Sequence, residues 1–300
     1  MPILVSGSTG FVGGEIVRGL QQHNRQVRAL VRGGASNPKA QGLREIGTEI
    51  VDGDLTRPET LDKACQGAEI VITTATSMPS APNDGLKRVD HEGTLALIAA
   101  AERAGVRRFI YTSYSGNLRA DSPLETAKRN CENRLLKSRM QVVILRPSYL
   151  MESWLSPALG FDALNGSVRI YGSGNAKVSY ISGFNVADIA VAAATRDHGD
   201  KHTILEMGGP EPLSQLDVVH IFEQTLNKKI TLDFVPVEGL QEQHRSSDPL
   251  QKTFAALTLG YAQGDLIKGA QATAQEYAVR LRSVEQYASG FRTRQATNVA

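Results

Sequence analysis

The chain has 300 residues, 41% of them hydrophobic, and a formal net charge of +2 from 33 Lys and Arg against 31 Asp and Glu. A chain this long buries a substantial core as one large domain or two lobes, and so balanced a charge argues against a nucleic-acid or membrane surface. No apolar run reaches transmembrane length, and Cys65, Cys131 and the six scattered histidines show neither redox nor metal-ligand spacing, so no metal is expected.

With the first strand beginning almost at the N-terminus, no signal peptide is expected, and the distant cysteines suit a reducing cytoplasm. "PILVSG" reads as that strand and Phe11 to Gln22 as a helix. "QVRALVR" (Gln26 to Arg32) is the next strand, followed by a helix around Pro38 to Ile46. "TEIVDGD" precedes a helix near Pro58 to Cys65. "AEIVITTAT" is a fourth strand, and Leu86 to Ala104 reads as one long helix ended by Gly105. "VRRFIYTS" is the fifth strand, Pro123 to Lys137 a helix, and "MQVVILRPS" the sixth strand. Strand alternating with helix argues for a parallel sheet covered on both faces. Right-handed crossovers then give a doubly wound α/β, or Rossmann, fold over residues 1–150.

Beyond Tyr149 the spacing loosens. "HTILEMGG" and "ITLDFVPV" read as strands and "LSQLDVVHIFEQTL" as a helix with Ser214 at its N-cap. Residues 151–300 are expected to form mainly a smaller mixed α/β substrate lobe, with some segments returning to the first sheet. The polar tail "FRTRQATNVA" is expected to fray. The segment from Ser77 to Gly85, rich in Pro and small residues, has the composition of a lid.

Three glycines stand where the first strand meets the first helix. Gly7 permits the tight turn, Gly10 lets a pyrophosphate approach the backbone, and Gly13 lets helix and strand pack closely. The helix then aims its N–H groups and positive dipole end at the phosphates. The spacing G-x-x-G-x-x-G differs from the G-x-G-x-x-G fingerprint, and a packing-only turn is the bland alternative. Its place after the first strand of a βαβ series favours a dinucleotide.

The end of the second strand selects the cofactor. An NAD binder places an acid there for the ribose 2′-hydroxyl. This chain has Arg32, with no acid before Glu45. A guanidinium suits a 2′-phosphate, and Lys39 adds a second charge, so NADPH is expected rather than NADH. Asp54 stands at the end of the third strand either to accept a hydrogen bond from adenine, with Leu55 against the ring, or to cap the turn before Pro58.

"GSTGFVGG", "ALVR", "VDGDL", "AGVRRFIYTS" and "LRPSYLMES" resemble the NmrA-like branch of the atypical short-chain dehydrogenases/reductases. "YISGFNVADIAVAAAT", "MGGPEPLSQLDVVHIF", "LTLGYAQGD" and "SVEQYASG" extend the resemblance over nearly the whole chain. That group includes NAD(P)H-dependent quinone and dye reductases, photosystem-assembly factors and redox-sensing regulators. The resemblance implies that Gly7, Thr9, Gly10, Phe11 and Val12 cradle the pyrophosphate, that Arg32 meets the 2′-phosphate, and that Asp54 and Leu55 meet the adenine. It also implies that Thr74 and Ala75 line the riboses and that Lys128 hydrogen-bonds the nicotinamide ribose. Pro147, Ser148 and Tyr149 would border the nicotinamide, with Tyr149, Met151, Glu152 and Trp154 on the substrate side.

Better-known members of the superfamily use Y-x-x-x-K, in which the Lys lowers the pKa of a Tyr that moves a proton at the substrate oxygen. Here Lys128 is present, but Leu124 stands four residues earlier. This argues against ordinary alcohol–carbonyl chemistry and leaves hydride transfer to a conjugated acceptor. Tyr114 and Ser113 are the candidates to stabilise a developing oxyanion, with a rim tyrosine as the alternative for Tyr114. For Lys128 the alternative is an exposed lysine paired with Glu132 at i+4. Tyr149, Met151 and Trp154 either stack on a flat substrate or pack the second lobe.

Three functions follow. The first is an NADPH-dependent reductase of a small planar acceptor such as a quinone. The second is a catalytically weak NADP(H)-binding sensor acting through a protein partner. The third is an assembly or scaffold protein. The expected state is a monomer or homodimer with a small-molecule acceptor, no nucleic acid and no membrane.

Overall fold

The computed structural model describes residues 1–79, 84–119, 121–196 and 202–298. In chain order its strands are β1 Ile3–Ser6, β2 Val27–Val31, β3 Glu49–Asp52, β4 Ile70–Thr73, β5 Arg108–Thr112, β6 Gln141–Pro147, β7 Phe161–Asp162, β8 Ser167–Tyr171, β9 Thr203–Met207 and β10 Thr231–Val235. The α-helices are α1 Phe11–Gln22, α2 Gln41–Glu45, α3 Leu61–Cys65, α4 Thr94–Arg103, α5 Pro123–Leu135 and α6 Met151–Trp154, then α7 Gly183–Thr195, α8 Gln215–Leu226, α9 Val237–His244, α10 Pro249–Gln263, α11 Ala270–Glu276 and α12 Val284–Asn298.

Seven strands form one sheet in the order β3-β2-β1-β4-β5-β6-β9. Neighbours from β3 through β6 run parallel, with Ile3 in register with Val27 on one side and Ile70 on the other. β1 and β4 are buried along their whole length, as apolar strands covered on both faces must be. β3, at the edge, is polar and half-exposed, and Arg28 of β2 pairs with Glu49 of β3 across the register at 2.9 Å. One face of the sheet buries a continuous core that includes Leu4, Leu30, Val71, Phe109, Val142 and Ile144 with Leu97, Ile98 and Leu135 of the covering helices.

The chain divides into two units. The first holds Met1–Tyr114, Ser122–Arg146 and Val186–Leu205; the second holds Ser115–Asp121, Pro147–Asn185 and Glu206–Ala300. Within the first, α7 covers α1, where a Cβ on Gly19 would come within 2.9 Å of Val191. Arg108 of β5 is fully buried. Its guanidinium donates to the carbonyls of Ala193 and Arg196 at 2.6 and 2.8 Å, a cation at the negative end of α7. Within the second, β10, β8 and β7 form a three-stranded sheet, parallel at β8–β10 and antiparallel at β7–β8. Ser214 caps α8 in a reciprocal box with Asp217, as its position predicts.

Three expectations change. The segment read as one helix from Leu86 to Ala104 is a π-helix, Leu86–Gly93, continued by α4. The helix read at Pro38 to Ile46 is a 3₁₀ turn, Pro38–Ala40, followed by the five-residue α2. The tail read as frayed is helical through Asn298, because Phe291 packs on Phe222 and Tyr287 with ring centroids 5.6 and 5.3 Å away. Residues 80–83 of the segment read as a lid lie outside the described residues.

Candidate functional site

The sheet order reverses between β1 and β4, and a doubly wound sheet leaves a ligand crevice at such a reversal, outside the carboxyl ends of the strands. Both ends meet there. Gly7 follows β1 with φ +80°, and a Cβ on it would lie 2.7 Å from Thr74 Oγ1 and from the Ala75 amide nitrogen. A Cβ on Gly13 would lie 2.1 Å from the Gly7 carbonyl oxygen. Two glycines are therefore demanded by contact alone, and they bring Thr74 and Ala75, just past β4, against the turn. Gly10 is exposed, and its Cβ would meet only the Gly7 carbonyl, at 3.2 Å.

Gly10 is the N-cap of α1. No side chain caps this end, and its first turn holds no acid. The positive end of the helix dipole is left without a negative side chain of its own. Thr9 and Val12 are half-buried and Phe11 is 43% exposed. Ser8 ties the turn to β2 through Leu30 O at 3.2 Å.

Arg32 lies exposed just past β2, and its carbonyl accepts from Asn37 Nδ2 at 2.9 Å. Lys39 is exposed within the next 3₁₀ turn. Gly33 and Gly34 both have positive φ, and a Cβ on Gly34 would press within 3.0 Å of the Asp52 side chain. Asp52, in register with Val31, puts an acid beside the arginine turn that the linear reading did not weigh. Asp54 Oδ1 accepts from the Thr56 amide and hydroxyl at 2.8 and 2.9 Å, so one carboxylate oxygen caps the turn before Pro58. β3 ends at Asp52, two residues before Asp54. Leu55 is buried, and the π-helix packs on it closely enough that a Cβ on Gly93 would meet Leu55 O at 2.6 Å.

Lys128 is not the exposed partner of Glu132. It is buried in α5, donates to Thr112 O at 3.1 Å, and holds its Nζ 5.1 Å from the centroid of the Tyr111 ring. Asp90, fully buried on the π-helix, stands 3.8 Å from the same Nζ. Leu124, one turn before Lys128, is buried, and its side chain has no acidic proton to transfer.

Glu132 pairs instead with Arg129, at 2.6 Å, and with Arg146. Burial pushes its carboxyl up, but hydrogen bonds from Arg146 and Ser113 and the charges of both arginines hold it below its ordinary value. Ser113 is buried beneath this network, with Arg129 donating to its Oγ at 3.3 Å. The Arg129 guanidinium also covers the Tyr114 ring at 4.6 Å and donates to the Tyr114 carbonyl. Tyr114 is 8% exposed, with its hydroxyl shut away from solvent. In this arrangement neither Ser113 nor Tyr114 presents an open hydroxyl.

Pro147 to Trp154, from the end of β6 onward, belong to the second unit. Met151 is fully buried. Glu152 accepts from the Ser182 hydroxyl at 2.6 Å and the Gly183 amide at 2.7 Å, so both carboxylate oxygens serve the start of α7. The Tyr149 ring lies 5.0 Å from Trp154 in a tilted stack and 4.7 Å from both Tyr180 and Tyr261, edge to face, and burial pushes its phenol well up. The cavity that Tyr149, Trp154 and Tyr180 border with Leu159, Val168 and Ile170 holds about 10 Å³, room for one water. These aromatics pack their own unit. Ser148 donates to the buried Asp265 at 2.6 Å, and Ser115 donates to the other oxygen of the same carboxylate at 2.8 Å. Pro147 is buried at the end of β6.

Asp90, Gly93 and Asp265 were not singled out from sequence. Only "VDHEG", an acid inside an otherwise apolar helical face, offered a signal for the first two. Among the described residues no group of His, Cys, Asp and Glu could hold a metal ion, and no helix is long and apolar enough to cross a membrane. Cys65 and Cys131 are free and buried, and burial pushes their thiols up to about 12 and about 11.

Comparison with known proteins agrees with this architecture. The NAD(P)H azoreductase of Xenophilus azovorans is 29% identical over 274 residues, 88% of this chain and 90% of that protein. The photosystem II assembly factor Ycf39 of Trieres chinensis is 30% identical over 239 residues, 79% of this chain and 73% of that one. Among solved structures, the NADPH complex of the quinone oxidoreductase QOR2 from Escherichia coli superposes with a TM-score of 0.79 at 21% identity, covering 96% of this chain and 99% of that one. The Citrobacter triphenylmethane reductase complexed with NADP(H) gives 0.78 at 21% identity, with the same coverage. The likeness to both structures establishes the shared fold. With residues 1–287 matching the NmrA-like family, the chain belongs to that family.

Proposed function

We propose that this chain is an NADPH-dependent reductase that passes hydride to a small planar acceptor of the quinone class. The observation that carries the reading is the crevice between β1 and β4. Gly7 and Gly13 are forced by contact, Gly10 keeps the backbone open, and α1 begins there with no acid in its first turn. These features fit a pyrophosphate. Arg32 and Lys39, exposed beyond β2, fit a 2′-phosphate.

In this reading Gly7, Thr9, Gly10, Phe11 and Val12 hold the pyrophosphate, and Thr74 and Ala75 border the riboses. Lys128 holds the nicotinamide ribose through its ammonium. Asp54 keeps one carboxylate oxygen for adenine beyond its turn cap. The bound nicotinamide supplies the hydride. The chain's own part is to orient the cofactor and exclude water. Leu124 occupies the tyrosine position, so an acceptor that delocalises the incoming charge and takes its proton from solvent suits the site better than a simple carbonyl. The names of the relatives, for quinone, azo and triphenylmethane substrates, support that class.

A second reading draws on Leu124 and on the buried hydroxyl of Tyr114: an NADP(H)-binding protein that reports redox state to a protein partner, as its similarity to assembly factors would suit. NADPH oxidation by the purified protein against a panel of quinones, azo dyes and enones separates the two. Acceptor-dependent loss of NADPH absorbance supports the reductase. NADPH binding without loss for any acceptor overturns it in favour of the sensor. The buried free thiols support a reducing compartment such as the cytoplasm.

A further inference from the structure

The π-helix brings an acid into the core of the first unit. Asp90 is 0% exposed. Its Oδ2 accepts from both the amide and the hydroxyl of Ser77, at 2.9 and 2.5 Å. Its Oδ1 is buried, accepts no hydrogen bond among the described residues, and belongs to the carboxylate 3.8 Å from Lys128 Nζ. The Lys128 ammonium donates one N–H hydrogen bond to Thr112 O. A buried carboxylate and a buried ammonium without each other would cost several kcal/mol, so the two specify each other's position. A π-turn is the local device that does this: one extra residue in the turn rotates the following side chain relative to the helix face.

We propose that Asp90 is a positioning residue for Lys128, and that through Ser77 it ties the segment after β4 to the same ammonium. The clamp sets where Lys128 meets the nicotinamide ribose, and it rests on the cofactor reading given above. Asp90 touches no cofactor itself. Thr112 O fixes one side of the ammonium, the Tyr111 ring lies 5.1 Å away, and Asp90 closes a second side, leaving the remaining proton for a ribose hydroxyl. Ser77, four residues past β4, lies close in sequence to Thr74 and Ala75. A single carboxylate thereby registers the ribose-bordering segment against the ribose-binding lysine.

Two probes separate positioning from simple stability. NADPH reaches the whole site, whereas adenosine 2′,5′-bisphosphate reaches only the glycine-turn and Arg32 end. In full-length protein, Asp90→Asn keeps the shape and an acceptor for Ser77 but loses the charge. It is expected to weaken NADPH about tenfold, the scale of one charge-assisted hydrogen bond. The bisphosphate should stay within about twofold. In a Lys128→Met background the same substitution should cost NADPH affinity almost nothing, because Asp90 acts only through the lysine. Ser77→Ala, which keeps both charges, should show the same probe selectivity to a smaller degree, and it carries the comparison if Asp90→Asn fails to fold.

Wild-type protein that binds neither probe overturns the cofactor reading and this proposal together. Wild-type protein that binds both, with the variants weakening both probes alike or weakening NADPH equally with and without Lys128, overturns the proposal alone.

Discussion

Two groups of residues carried candidate chemistry in the sequence: the glycine turn after β1, read as a dinucleotide cradle, and the aromatic segment after β6, read either as a platform for a flat substrate or as packing. In the structure they part. The turn is shaped by backbone contacts that only glycine permits, with Thr74 and Ala75 drawn against it. The aromatic segment makes its ring contacts within its own unit, with Trp154 half-buried. Tyr149 faces three other rings, Met151 is buried, Glu152 holds the start of α7, and the adjoining cavity takes one water. A backbone requirement can be read from residue type and spacing, because no other side chain meets it. An aromatic side chain suits a core as well as a ligand, and only its neighbours decide.

Substitutions sharpen that contrast, beginning with the largest effect. Gly13→Ala places a methyl 2.1 Å from the Gly7 carbonyl, so the turn must break or α1 must move. Thermal unfolding should show a loss above about 4 kcal/mol, the range reserved for such backbone conflicts, and NADPH binding should vanish with it. A variant of wild-type stability would mean that the turn is not built as described.

Next is Glu132→Gln, which leaves Arg129 and Arg146 without their carboxylate. It should cost about 3 kcal/mol by denaturant titration. The Glu132 carboxyl is held below its ordinary value, so its stabilisation is complete at neutral pH and is lost as pH falls through that lowered value. The gap between wild type and variant should therefore narrow on acidification. A gap that widens in acid would contradict the pairing.

Arg32→Ala tests the other end of the crevice. It should weaken NADPH about tenfold or more and leave NADH within about twofold, measured by titration of nicotinamide fluorescence, since only NADPH carries the 2′-phosphate. Equal weakening of both cofactors would move Arg32 out of the phosphate site. The smallest effect is expected at the aromatic cluster. Tyr149→Phe keeps the ring contacts, so stability should change by less than about 1 kcal/mol and acceptor turnover by less than about twofold. A large loss of turnover with stability unchanged would return Tyr149 to the substrate.

The legible parts of the fold were those set by local periodicity. α1 begins and ends where the spacing of Phe11 to Gln22 predicts, and the six strands of the doubly wound half lie within the apolar runs that name them. The division of Leu86–Ala104 was hidden, because a π-turn differs from an α-turn by one residue and its cause, the burial of Asp90 against Lys128 and Ser77, is tertiary. The same gap separates the two readings of Lys128, the cofactor contact and the alternative of an exposed pair with Glu132. An i+4 rule offers Glu132, but the two arginines claim it. Arg32 was legible as a charge at a strand end, whereas Asp52 beside it became visible only through the register of β2 with β3.

The central claim is that the β1–β4 crevice holds a phosphorylated dinucleotide. Calorimetric titration of the wild-type protein with NADPH and NADH tests it most directly. The account predicts saturable binding of one NADPH per chain, at least about tenfold tighter than NADH, as a guanidinium on a 2′-phosphate provides. Absence of binding by either cofactor, or equal affinity for both, would contradict it.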